Sequence, residues 1–347
     1  MSNEILEQYI KQTIEINQIN EVLFTWQGGE PTIAGLDFFK KAVHFQKQYS
    51  REGMKIYNAI QTNGVLLNDT WGTFFQENQF LVGISLDGPE EIHNALRTDS
   101  IGNGSYLKVM RGINLLKRFG VEFNILCTIN GVNESKPLEV YRFLRDDVKA
   151  NFIQFIPVVN YDYNTGIVTP WSVKPDKYGR FLITIFDDWV KKDVGTVFIQ
   201  LFDTALAGWC GQSHGICHLS PVCGQSIVIE HNGDVFSCDH FVDNTHKLGN
   251  ILVNSIYDMI HDRKQIQFGL NKVEKLPEYC QKCKYLFVCH GECPKNRFIQ
   301  TPDGEPGLNY LCEGYFDFFN HISKSMEYMR RELNFGRSPA NIMRYFS

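Results

Sequence analysis

Eight cysteines crowd into the stretch from Cys217 to Cys312, and their spacing limits what this chain can become. They are Cys217, Cys223, Cys238, Cys280, Cys283, Cys289, Cys293 and Cys312, with five, fourteen, forty-one, two, five, three and eighteen residues between neighbours. Short gaps let adjacent thiolates converge on one inorganic centre, and long gaps bring in ligands from elsewhere in the fold. Eight thiolates suffice for two four-coordinate sites, and four-cysteine ligation suits iron–sulfur clusters or structural zinc. A disulfide framework belongs to short secreted chains. This chain has 347 residues and neither a signal peptide nor a transmembrane run at its N-terminus. Cys127, after Phe123-Asn124-Ile125-Leu126, reads as a buried small apolar residue. Cys210 reads as a free thiol near the metal region.

The net charge of −5 argues against a basic nucleic-acid surface. A hydrophobic fraction of 43% and a charged fraction of 21% describe an ordinary globular protein. Its length suggests about two domains at roughly 150 residues each. The expectation is a cytoplasmic protein with reduced thiols and neither membrane nor nucleic acid as partner.

Ahead of the cysteines, apolar periodicity predicts helices at residues 4–16, 36–49, 69–77, 105–119 and 137–146, and strands at 21–27, 55–61, 80–86, 121–128 and 152–157. Such alternation gives a parallel sheet with right-handed crossovers. The 80–86 strand is apolar almost throughout, as expected where both faces are covered. Chemistry in these sheets gathers at the carboxyl ends of the strands. Polar, Gly-rich segments stand at three such ends: Gln27 to Pro31, Gln61 to Gly64 and Ser85 to Pro89. Residues 161–177 read as an irregular linker, 178–190 as a helix, and 316–333 as an aromatic-rich helical cover. His231-Asn232-Gly233 between two apolar runs predicts a hairpin with Cys223 and Cys238 near its two ends.

These residues resemble a radical S-adenosylmethionine (SAM) enzyme with a SPASM domain, and most closely the anaerobic sulfatase-maturating enzymes. The SPASM signature reads here as Cys223, nine residues, Gly233, four residues, Cys238, then Cys280, Cys283, Cys289, Cys293 and finally Cys312. Cys217 resembles the additional upstream ligand of that subfamily. WQGGEPTIAGL, QTNG, SLDGP, FNILCTIN and SCDHF resemble its other segments.

The resemblance implies an α/β fold: a partial (β/α)6 radical SAM barrel lacking its first strand, followed by a Cys-rich SPASM domain. Residues 1–170 would form the barrel and 171–207 a helical bridge. Residues 208–325 would form the SPASM domain and 326–347 a tail. One auxiliary [4Fe–4S] cluster would take Cys217, Cys223, Cys238 and Cys293, the other Cys280, Cys283, Cys289 and Cys312. Gly28, Gly29 and Glu30 would hold the methionine end of S-adenosylmethionine. Asn63, Ser85 and Asp87 would line the same cavity, and Gln27 and Arg97 would contact substrate or cofactor. Asp239 matches the acid that deprotonates the substrate side chain. The implied reaction oxidises a Cys or Ser of a sulfatase to formylglycine, with flavodoxin or ferredoxin as electron donor.

The family's CxxxCxxC loop, which binds the SAM-cleaving third cluster, is absent from these residues and would precede residue 1. The chain as written is therefore expected to be truncated and inactive. A misplaced start, a degenerate paralogue and a cluster-binding partner are competing explanations. Another SPASM peptide-modifying enzyme and a non-catalytic zinc or cluster module are the alternative functions.

Overall fold

The computed structural model describes residues 1–212 and 215–346. In its first part helices α1 (Asn3–Ile16), α2 (Leu36–Tyr49), α3 (Asp69–Glu77), α4 (Glu90–Leu96), α5 (Tyr106–Phe119) and α6 (Pro137–Arg142) alternate with strands β1 (Glu21–Trp26), β2 (Lys55–Thr62), β3 (Phe80–Ser85), β4 (Phe123–Ile129) and β5 (Phe152–Pro157). Local chemistry explains the ends. The Ser2 hydroxyl accepts from the Ile5 N–H at 3.2 Å, and Asn68 caps α3 through the N–H groups of Thr70 and Trp71. Gly120 closes α5 in a left-handed conformation.

Two expectations need correction, and one element is unforeseen. Helix α4 lies in a stretch to which the sequence reading assigns no element; Pro89 precedes it and supplies its first acceptor, to the His93 N–H at 2.9 Å. The helix from Pro137 widens into a π-turn at Phe143–Asp147. The linker carries a small hairpin, β6 (Tyr161–Asp162) with β7 (Ile167–Val168), and helix α7 (Pro175–Lys192) already starts at Pro175, whose ring pre-sets a helical φ.

The chain folds as two compact units, each assembled from separate stretches. The first comprises Met1–Gln61, Asn68–Leu81 and Pro221–Lys275. There β1 pairs with β2 in parallel, Leu23 opposite Tyr57. Val22, Phe24 and Trp26 are buried while Glu21, Leu23 and Thr25 are exposed, so β1 has one open face rather than two covered ones. On the buried side Trp26, Phe39, Trp71, Phe75 and Phe80 form a chain of ring contacts. Trp26 Nε1 donates to Asn58 Oδ1 at 2.9 Å, and the Asn58 and Gln46 amides bond reciprocally. Strands β9 (Val228–Ile229), β10 (Asp234–Phe236) and β11 (Lys247–Asn250) form an antiparallel sheet. Val235, Ile251, Ile256 and Met259 pack against Ile5 of α1. Helices α9 (Ile256–His261) and α10 (Arg263–Glu274) complete the unit.

The second unit comprises Thr62–Leu67, Val82–Ser220 and Leu276–Ser347. Strands β3, β4, β5 and the short β8 (Phe198–Ile199) pair in parallel in chain order. Helix α8 (Gln200–Trp209) follows. Cys127 is buried in β4. Helix α13 (Cys312–Asn334) lies along α7, with Phe186, Phe202 and Phe318 in mutual ring contact. Among the described residues no helix is long and apolar enough to cross a membrane.

His93 is wholly buried in this unit. Its Nδ1 accepts from the Asp87 N–H at 3.3 Å, so Nε2 carries the proton toward Ser105 Oγ at 2.9 Å. Burial first, then the Arg97 charge, pushes its pKa down to about 4 against an opposing pull from Asp87. Between pH 6.5 and 4 the unfolded chain binds the proton that the folded chain refuses, so stability falls as pH drops through this window. Urea unfolding at about pH 6.5 and about pH 4.5 should show a loss that is smaller by roughly 2 kcal/mol in His93→Asn.

Candidate metal centre and cofactor loops

Four of the eight cysteines converge in the second unit. Cys280 lies in the one-turn helix α11 (Glu278–Gln281), and Cys283 follows it, its N–H bonding to the Cys280 carbonyl at 3.0 Å. Cys289 ends the short helix α12 (Leu286–Cys289), and Cys312 opens α13. All four line one cavity of about 690 Å³, with Tyr279, Leu286, Leu308, Tyr315 and Phe319 as apolar walls. Burial, then the neighbouring thiols, pushes Cys289 and Cys312 up to about 12. Cys312 stands at a helix N-terminus, which favours a thiolate, but burial outweighs that field. Burial also raises Cys280, against the pull of Arg297. Crowded, part-buried thiols do not ionise together unless a cationic body takes up their charge. A four-thiol lining is the donor set of a [4Fe–4S] cluster, so the residues fit that group. Among the described residues no three His, Cys, Asp or Glu side chains meet as a ligand set for a single ion.

Cys223 and Cys238 belong to the first unit. The hairpin forms as expected, with Gly233 at φ 87° and Val235 opposite Ile229. A residue missed in the sequence ties the two cysteine segments together. The Gln265 amide, buried in α10, donates from Nε2 to the Gly224 carbonyl at 2.6 Å and the Ser237 carbonyl at 3.3 Å. Those carbonyls adjoin Cys223 and Cys238. Gly269, one turn further on, lets the helix approach: a Cβ there would lie 2.3 Å from the Cys223 carbonyl oxygen. Only the four-residue spacing of Gln265 and Gly269 hinted at this. Cys217, in the second unit, is exposed at the start of a 3-10 turn, and Cys293, also there, is half-buried before another.

The loops named for S-adenosylmethionine stand at strand ends. Gln27, Gly28 and Gly29 are exposed after β1. Gly28 and Gly29 have φ of 113° and 53°, and a Cβ at either would meet nothing within 4 Å, so the backbone has open room beside it. Glu30 Oε1 accepts from the Thr32 N–H at 3.1 Å. In the second unit Asn63 follows β2 and its Oδ1 accepts from the Val65 N–H at 2.9 Å. Ser85 is half-buried at the end of β3. Asp87 is 2% exposed. Its Oδ2 accepts from Arg97 Nε at 2.5 Å, and its Oδ1 from Arg97 Nη2 at 3.1 Å and the Thr128 N–H at 2.8 Å. Asp87 and Arg97 thus face each other in a two-pronged pair. Asp239, in the first unit, is exposed on the turn after β10, and the Cys238 thiol donates to its Oδ1 at 3.2 Å.

The family model of the SPASM iron–sulfur cluster-binding domain matches residues 217–284. The chain is 47% identical to the serine-type anaerobic sulfatase-maturating enzyme of Bacteroides thetaiotaomicron, over 99% of this chain and 86% of that one. It is 36% identical to a cysteine-type anaerobic sulfatase-maturating enzyme of Clostridium perfringens, over 92% of this chain and 86% of that one. The solved structure of native anSMEcpe with bound AdoMet and Cp18Cys peptide matches with a TM-score of 0.88 at 34% identity, over 96% of this chain and 92% of that one.

Proposed function

The chain belongs to the anaerobic sulfatase-maturating enzymes, oxidoreductases of the radical SAM and SPASM class, and from that premise we propose that it oxidises a Ser or Cys side chain of a sulfatase to formylglycine. The convergence of Cys280, Cys283, Cys289 and Cys312 on one cavity carries this reading. When bound, S-adenosylmethionine supplies the hydrogen-abstracting radical and the auxiliary clusters supply one-electron acceptors.

The chain's own residues do the rest. The four cavity cysteines hold one auxiliary cluster; Cys223 and Cys238 of the first unit, and Cys217 and Cys293 of the second, are the thiolates left for further cluster ligation. The open Gly28-Gly29 backbone receives the cofactor's methionine end with Glu30 and Gln27; Asn63 and Ser85 are the second unit's candidate cofactor contacts. Asp87, held by Arg97, braces the loop after β3. Asp239 accepts the substrate's hydroxyl or thiol proton. Residues 208–325 act as the SPASM domain, and a flavodoxin or ferredoxin delivers electrons. The radical-generating cluster needs a CxxxCxxC loop that these 347 residues do not contain, so the proposal is for the protein that carries one.

Anaerobic assay of that protein on paired Ser and Cys sulfatase-derived peptides tests the reading. The expected product is an aldehyde, seen for the Ser peptide as the loss of two hydrogens. Colourless protein containing zinc instead of iron and sulfide would overturn it.

A further inference from the structure

Between Cys289 and Cys293 the backbone stays left-handed for three residues. His290, Gly291 and Glu292 have φ of 47°, 70° and 54°. Two of them are not glycine, and each costs roughly 1–2 kcal/mol in that conformation, so something must hold the run. The Arg297 side chain holds it. Its Nη2 donates to the His290 carbonyl at 2.9 Å and the Glu292 carbonyl at 3.1 Å, and its Nε to the Gly291 carbonyl at 2.9 Å. Gly291 makes room, since a Cβ there would lie 2.7 Å from Nη2 and 2.3 Å from Leu276 Cδ2. The Glu292 carboxylate turns to Asn309 at 2.6 Å and Asn296 at 3.3 Å. The guanidinium is largely withdrawn from water, and two of the residues it clamps, Gly291 and Glu292, line the cavity of Cys280, Cys283, Cys289 and Cys312.

We propose that Arg297 is a positioning residue that also acts electrostatically. It locks the left-handed turn that separates Cys289 from Cys293, and its buried positive charge raises the reduction potential of the cluster held in the Cys280, Cys283, Cys289 and Cys312 cavity. The inference rests on the reading of those thiols as cluster ligands. A cation beside an anionic cluster favours the more negative, reduced form. Hydrogen bonds and nearby charge are established levers on such potentials.

The test uses the full chain, loaded anaerobically with iron and sulfide, as wild type, Arg297→Gln and Arg297→Lys. Iron per chain and the midpoints of an EPR-monitored redox titration are read. Arg297→Gln should lower one midpoint so that its reduced-to-oxidised ratio at fixed poise falls about tenfold, which is about 59 mV for a one-electron couple. Arg297→Lys, which keeps the charge but lacks the fork, should restore most of that midpoint while binding less iron than wild type. If Arg297→Gln loads no cluster, a loaded Arg297→Lys near the wild-type midpoint supports the assignment, and one shifted tenfold overturns it. Iron-loaded wild type and Arg297→Gln with equal midpoints would overturn the assignment alone. A wild type that takes up no iron would overturn the cluster reading as well.

Discussion

Asp239→Asn should lower formylglycine formation by about 10²- to 10⁴-fold while leaving iron and sulfide content at the wild-type level. That range is typical of a positioned general base. Asn keeps the shape of the side chain but accepts no proton. The residue is exposed on a turn, outside any helix or strand, so the substitution has little fold to disturb. Its carboxylate accepts from the Cys238 thiol at 3.2 Å. Were Cys238 a thiolate ligand, it would no longer donate that bond, and the carboxylate would be left to substrate. Peptide turnover followed by mass spectrometry, beside an iron assay on the same sample, checks both halves. A variant that retains its rate removes Asp239 from the role of base. One that loses iron together with activity makes Asp239 a support for Cys238 instead.

Gly314→Ala is expected to destabilise the second unit by about 1–3 kcal/mol or more, the usual range for overpacking, and to strip iron from the cavity. Helices α7 and α13 touch backbone to backbone where Gly179 meets Gly314. A Cβ on Gly314 would lie 2.2 Å from the Pro175 carbonyl oxygen and 2.9 Å from the Gly179 nitrogen. Neither neighbour is a flexible side chain, so the helices themselves must part. Because α13 begins at Cys312, the displacement moves a cavity thiol, and Tyr178 and Tyr315, whose rings meet at 5.5 Å, lose their fit. A thermal melt with iron counted before heating measures both effects. Unchanged melting and iron content would show that α13 does not set the position of Cys312.

The alternation of helices and parallel strands was legible because a period of about 3.6 against short apolar runs is a local signal. Helix α2 begins and ends where periodicity placed it, and Asn-Gly at residues 232–233 marked the hairpin. Short elements escaped: α4 has seven residues, too few for a period to show. The open face of β1 escaped too, because Leu23 is as apolar as Phe24 and only the fold exposes one and buries the other.

The chain alone pointed to four-thiolate ligation, since thiol count and spacing are written in the covalent order, as are the glycines that can adopt the positive φ of the loop after β1. It could not say that Gln265 reaches two carbonyls beside distant cysteines, that Arg297 clamps three left-handed residues, or that Asp87 turns inward to Arg97. Those outcomes depend on which backbones approach within hydrogen-bond distance once the cores have packed. That distance is a property of the tertiary structure, because it joins groups that no local pattern places side by side.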